Sequence, residues 1–255
     1  MDLQKILARI EEVPGEKGFF YKNLVTGEEA EYNADKGFGP ASVIKFPILM
    51  AVFKLAAEGK TSLSDRIVVK HEDKMPSCGA LNSFTDEPSV DIRTLCNLMI
   101  TISDNTATNV LIDHFGLELL NAQFEEMGLK VTRVNRKLFD MEARARGISN
   151  VAQIREIAML LEMLYRDEFI SQEVCEDILE IMCRQQIKYK IRGMLPAGTK
   201  AAHKTGEDDD IANDVGIVFA KQPFICCYMS NETVPYMFIK FINETTKELY
   251  EHCNV

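Results

Sequence analysis

Ser42 and Lys45 stand three residues apart in Ser42-Val43-Ile44-Lys45, directly after Gly39-Pro40-Ala41, where a helix is expected to begin. Residues three apart share a helix face, so the hydroxyl and the amine can meet. A serine hydroxyl is a weak nucleophile until a base takes its proton. Lysine can be that base once burial or a neighbouring cation lowers its pKa. Backbone N–H groups at the helix start could also receive an oxyanion. Taken alone, the same spacing fits an ordinary surface Ser and Lys.

Two further clusters could do related chemistry. Ser103-Asp104-Asn105 falls between two helical patterns. Its types suit a helix cap, but equally a proton-shuttling hydroxyl on Ser103 and an amide on Asn105 for a substrate carbonyl. Lys204-Thr205-Gly206 is followed by Glu207 and precedes a strand-like run. On an edge strand Lys204 and Thr205 could hold a carboxylate by charge-assisted hydrogen bonds, with Gly206 admitting a substrate backbone. The same residues also suit an edge lysine and a turn glycine. Glu207 to Asp210 form an acidic run, expected as an exposed turn; lining a cleft, it would repel anionic substrates.

The elements that must position these groups follow from periodicity. A short amphipathic helix opens the chain, and strand-like runs at 18–24 and 28–32 suggest a hairpin. From Ser42 to about Gln186 the apolar spacing is helical, notably over 91–103, 106–115 and 151–165. Strand signals return at 214–221 and 224–230, before a last amphipathic helix. This order predicts an α+β fold, an antiparallel sheet with the terminal helices packed on it and an all-α lobe beside it. Residues 1–41 and 190–255 are expected to form the sheet lobe and 42–189 the helical lobe, in one compact unit.

The chain has 255 residues, 46% hydrophobic and 27% charged, with a formal net charge of −10, which disfavours nucleic acid and anionic membrane partners. Seven cysteines form no Cys-x-x-Cys pair and four histidines no zinc motif, so reduced thiols and no metal or other cofactor are expected. No run approaches the roughly 18 apolar residues of a membrane span. The N-terminal segment has no apolar core of the secretory kind, which predicts a cytoplasmic address, or secretion if a signal peptide has been removed.

In the order S-x-x-K, S-D-N, K-T-G, the three clusters together resemble the motif set of class A β-lactamases and penicillin-binding proteins. The segments GFFYKNLVTGEEAEYNADKGFGPASVIKFPIL, LMITISDNTATNVLIDHFG and IRGMLPAGTKAAHKTG are similar to family segments. The resemblance implies a β-lactamase-like sandwich plus an all-α lobe, with the site in the cleft between. It also implies a small β-lactam or acyl-D-Ala-like substrate. Ser42 would be acylated, Lys45 would be its base, and Ser103 would pass a proton to the lactam nitrogen. Asn105 would bind the acylamino group, Lys204 and Thr205 the substrate carboxylate, and the N–H groups of Ser42 and Glu207 the oxyanion.

The resemblance breaks at three places, one of them Glu207, which follows K-T-G where small residues are common in the family. Many secreted members carry a disulfide at positions matching Leu49 and Cys96, and Leu49 cannot form it. The family's Ω loop places its deacylating Glu where this chain has Leu138. Glu142 is then the expected deacylating base, with Asp140 in reserve. The expected activity is opening of penicillin- or cephalosporin-type rings. A D-Ala-D-Ala peptidase, an esterase or a sensor that stays acylated are the alternatives.

Overall fold

The computed structural model describes residues 2–255. In chain order, α1 (Leu3–Glu11), β1 (Glu16–Asn23), β2 (Glu29–Tyr32) and β3 (Gly37–Phe38) lead to a 3-10 turn over Ala41–Ile44 and then α2 (Lys45–Ala57). The middle holds β4 (Arg66–Val68), β5 (Ser89–Asp91), α3 (Ile92–Thr101), α4 (Asn105–Phe115), α5 (Leu117–Glu126) and α6 (Met141–Ala145). After β6 (Ala152–Gln153) come α7 (Ile154–Tyr165) and α8 (Gln172–Cys183), and the chain closes with β7 (Ala201–Asp208), β8 (Ile211–Val218), β9 (Phe224–Asn231) and α9 (Pro235–His252).

Strands from both ends of the chain meet in one five-stranded sheet of order β2-β1-β9-β8-β7, antiparallel throughout. One face is covered by α1 and α9. Aromatic rings fill that layer: Phe19 packs on Tyr228 with centroids 5.3 Å apart, and Phe241 meets both edge-on at 6.3 and 6.1 Å. Such pairs contribute about 0.5–1.5 kcal/mol each beyond their buried area. The other face carries the helices. Phe20, Val215 and Met229 from the sheet belong to the same buried cluster as Ile44, Ile48 and Ile157 from the helical part.

The central helix α2 is apolar on every side, and all its residues from Lys45 to Phe53 are buried. A helix without a polar face has to sit inside the protein, so the lysine at its start is carried into the dry interior as well. Pro47 falls in the first turn, where a missing N–H costs little. The 3-10 turn before α2 differs from the expected α-helical start and brings residues i and i+3 into near-eclipse, which suits Ser42 and Lys45.

Three smaller differences from the sequence reading concern strands. The strand expected at 214–221 begins earlier, at Ile211, because it pairs along the whole of β7 from Ala201↔Val218 to Asp208↔Ile211. The exposed tip of that hairpin takes up Asp208, Asp209 and Asp210. β6, which pairs with β3, and the β4–β5 ribbon lie inside the stretch read as helical, too short to give a periodic signal.

Candidate active site

The turn bearing Ser42 is held in place from the sheet. Asn213 of β8 donates from Nδ2 to the carbonyls of Gly39 (2.9 Å) and Pro40 (3.2 Å), while its Oδ1 accepts the N–H of Ser230 at 2.8 Å. Gly206 of β7 lies so close that a Cβ there would be 2.6 Å from the Pro40 oxygen and 3.1 Å from the Ser42 nitrogen. Only glycine permits that approach. Ala41, with φ 44°, takes a left-handed conformation that costs a non-glycine residue about 1–3 kcal/mol. The sheet contacts hold this strained turn, and Ser42 is left half-buried at the cleft.

Ser103 is the meeting point of two lysines. Lys45 Nζ donates to Ser103 Oγ at 3.0 Å, to the Ser103 carbonyl at 2.8 Å and to Asn105 Oδ1 at 2.8 Å. Lys204 Nζ reaches the same Ser103 Oγ at 3.1 Å and also donates to the Thr205 carbonyl at 2.8 Å. Ser103 has φ 57°, a second strained backbone position directly at the cluster. Burial brings Lys45 down to about 7, so a neutral amine is available near neutral pH. Burial also places Lys204 well below its ordinary range, with the charges of Lys45 and Lys190 acting in the same direction.

Asp104 and Asn105 fix the loop that covers this cluster. Asp104 caps α4 through Ala107 N at 2.9 Å and accepts Ala80 N and Leu81 N at 2.7 and 3.0 Å. Gly79 packs against that carboxylate, where a Cβ would fall 2.4 Å from Asp104 Cγ. Asn105 donates from Nδ2 to the Pro76 carbonyl at 3.1 Å, which leaves its second amide hydrogen for another acceptor.

A third buried lysine was not visible as a site residue in the sequence. Lys190 Nζ donates to the carbonyls of Gly206 (3.2 Å) and Asn213 (2.9 Å) and lies 2.6 Å from the Glu207 carboxylate. Burial lowers Lys190 to about 8. Burial and the nearby Asp214 carboxylate raise the Glu207 carboxyl, against the pull of its lysine partner. Tyr189 also hydrogen-bonds Glu207 through its hydroxyl. Behind them Asp214 pairs with His203 at 3.0 Å and accepts Ile191 N at 3.0 Å, so its charge is spoken for.

The segment over 131–150 is anchored on the helical side, and its Arg144 lies 3.8 Å from Asp208 at the end of β7. Its root is tied down by Glu156, which accepts Lys130, Val131 and Thr132 N–H groups at 2.5, 2.9 and 2.7 Å. Its neck is held by Asn150 Oδ1, which accepts Asn135 N and Arg136 N at 2.7 and 3.0 Å. Asn109 of α4 grips Leu138 in both directions, Nδ2 to its carbonyl and Oδ1 from its N–H, each at 2.9 Å. Asp140 is engaged as the cap of α6, accepting Ala143 N at 2.8 Å. Glu142 is exposed on α6, with no side-chain hydrogen bond or ion pair among the described residues.

Ser103, Lys45, Asn105 and Lys204 are thus brought into one hydrogen-bonded cluster, with Gly206 against the Ser42 turn and Thr205 and Glu207 next to it. Glu142 is outside that network. Lys190, Asn109 and Asn213 escaped the sequence reading because each acts through contacts far away in the chain. Asn109 alone had a local hint, four residues after Asn105 on the same helix. Among the described residues no group of three or more His, Cys, Asp or Glu is arranged to hold a metal ion, and no helix is long and apolar enough to cross a membrane.

An α+β sandwich with a serine and two buried lysines at its cleft defines a serine acyl-enzyme scaffold, and the chain belongs to the beta-lactamase enzyme family, whose pattern matches residues 2–253. A crystal structure of the β-lactamase from Sphaerobacter thermophilus DSM 20745 superposes with a TM-score of 0.90 and 27% identity, covering 99% of this chain and 98% of that one. PBP-A, solved as a leucine-to-glutamate mutant in an acyl-enzyme complex with penicillin G, is 30% identical with a TM-score of 0.88, over 98% of this chain and 94% of that one. Beta-lactamase BRO-1 of Moraxella catarrhalis is 23% identical over 196 residues, or 76% of this chain. That match spans 63% of BRO-1, less than two thirds of its length.

Proposed function

We propose that the protein opens β-lactam rings through an ester on Ser42. The neutral Lys45 amine takes the Ser42 proton as Oγ attacks the lactam carbonyl, and the oxyanion develops against the N–H groups of Ser42 and Glu207. The carbonyl carbon–nitrogen bond then breaks. Ser103 hands its hydroxyl proton to the departing nitrogen and recovers one from the lysines beside it. Asn105 offers its remaining amide hydrogen to the acylamino carbonyl, and Lys204 and Thr205 offer donors to the carboxylate. Water then frees the serine slowly, with the exposed Glu142 as a weakly placed base and Asp140 in reserve.

The observation that carries this reading is the Ser103 hydroxyl held between Lys45 and Lys204 at 3.0 and 3.1 Å. A hydroxyl bridging two amines kept partly neutral by burial is suited to moving a proton and has no evident structural purpose. Turnover of a chromogenic cephalosporin, followed beside intact-mass detection of the adduct, tests it. Fast colour with transient adduct supports a hydrolase. Neither colour nor adduct refutes the reading.

Leu138 favours a second reading, a penicillin-binding protein that acylates and releases slowly. It stands where the family's carboxylate is expected, and the PBP-A complex was obtained from a leucine-to-glutamate mutant. We also infer that the sheet lobe (1–41 and 190–255) and helical lobe (42–189) fold as one unit, which their shared buried cluster supports. Seven free cysteines support a reducing, cytoplasmic address.

A further inference from the structure

We propose that the cavity between the α4–α5 corner and the segment over 131–150 is a binding site for a phosphate-type oxyanion, held by Arg136 and Arg146. The cavity measures about 360 Å³, with Ile112, Asp113 and Gly116 on the helical side and Arg136, Lys137 and Arg146 on the segment. It shares no lining residue with the cluster of Ser42, Lys45, Ser103 and Lys204. In a chain with 39 acidic residues against 29 basic ones, an arginine readily finds a carboxylate. Among the described residues eight of the eleven arginines do. Arg136, Arg146 and Arg192 make no ion pair, and two of these three meet in the one cavity.

The carboxylates of the cavity are engaged elsewhere. Asp113 is taken by Lys137 at 2.9 Å, and Asp140 accepts Ala143 N at 2.8 Å as the cap of α6. Arg136 is the anchor: its Nη1 donates to the Lys137 carbonyl at 3.1 Å, while its Nε is cut off from solvent and has no acceptor. A charged donor left without acceptor or water is costly, and an oxyanion on the guanidinium relieves that cost through the paired donors that phosphates match bidentately. Arg146, just past α6, is exposed and brings the second guanidinium. Charge then sets the ligand class, since two guanidiniums without a counter-charge match a dianion with oxygens for both. The two arginines bracket the stretch that carries Leu138, Asp140 and Glu142, so one bound phosphate clasps its two ends together.

Calorimetric titration with inorganic phosphate, at an ionic strength held constant with sodium chloride, tests the site in the wild type and in Arg136→Gln, Arg146→Gln, Arg192→Gln and Lys204→Gln. The wild type should show one saturable site. Arg136→Gln and Arg146→Gln should each raise its Kd at least tenfold, the loss of a charge-assisted pair. Arg192→Gln removes the third unpaired arginine and Lys204→Gln a cation of the catalytic cleft, and each should shift the Kd less than twofold. Arg146 is exposed, so its replacement keeps the fold, which circular dichroism checks, and the test does not depend on the half-buried Arg136. In the wild type the Arg136 Nε–H resonance should move with added phosphate and saturate at the calorimetric Kd. Three results would each overturn the proposal: no saturable site in the wild type, an unchanged Kd in Arg146→Gln, or a Kd raised as much in Arg192→Gln or Lys204→Gln as in Arg146→Gln.

Discussion

The two sides of the cleft are built to different standards. On one side Lys45, Ser103 and Lys204 sit in a buried, hydrogen-bonded cluster beside the half-buried Ser42, with strained backbone at Ala41 and Ser103 held from several elements. On the other, the segment over 131–150 is anchored firmly at Asn109, Asn150 and Glu156, yet presents Leu138 where a water-activating group is expected. Its carboxylates are a helix cap at Asp140 and an exposed side chain at Glu142. The contrast teaches that making an acyl-enzyme and releasing it are separable demands. Acylation needs a buried base beside a fixed hydroxyl; release needs a carboxylate and a water, which are supplied from different parts of the chain.

The sharpest way to break the comparison is on the acylation side. Lys45→Ala should lower the acylation rate constant by about 10²- to 10⁴-fold, the usual contribution of a positioned base. Stopped-flow acylation with a reporter cephalosporin reads this. A loss below tenfold would mean that another group takes the serine proton.

The same base predicts a pH dependence. Since burial holds Lys45 at about 7, the amine is neutral above that pH and protonated below it. Acylation should therefore fall about tenfold per pH unit below 7, near 10²-fold by pH 5, and level off on the alkaline side. A flat profile between pH 5 and 8 would contradict the assignment.

On the release side, Leu138→Glu places a carboxylate at a position already gripped from both ends by Asn109. Decay of the adduct, followed by mass spectrometry, should accelerate by roughly 10²-fold, the lower range for general-base catalysis. Unchanged decay would show that the segment lies too far from the ester for any carboxylate there to act.

Glu142→Gln is expected to have the smallest effect. An exposed side chain positions water poorly, so adduct lifetime should lengthen only about threefold, with acylation unchanged, well below the range of a well-placed base. A tenfold or greater change would mean that α6 folds inward when substrate binds.

Much of the acylating side was legible in the sequence because its residues come in short local motifs on elements with clear periodicity. Ser42 and Lys45 share a turn, Ser103 to Asn105 start a helix, and Lys204 to Gly206 lie on a strand. Their convergence could not be read from spacing, since it depends on strands 16–23 and 201–231 meeting in one sheet. Lys190 and Asn213 were illegible for the same reason: each bonds backbone carbonyls that only the folded sheet brings near. The acidic run after Gly206 read as a single exposed turn, but pairing of β7 with β8 splits it. Asp208 to Asp210 stay at the tip and Glu207 turns back to Lys190.

The central claim, that Ser42 carries the acyl group, is tested most directly by intact-mass spectrometry of wild type and Ser42→Ala after exposure to penicillin G. The wild type should gain one penicillin mass per chain, and peptide mapping should place it on the segment containing Ser42. Ser42→Ala, retaining the same fold by circular dichroism, should gain none. A stoichiometric adduct on the alanine variant, or an adduct mapped to another residue such as the exposed Cys78, would contradict the account.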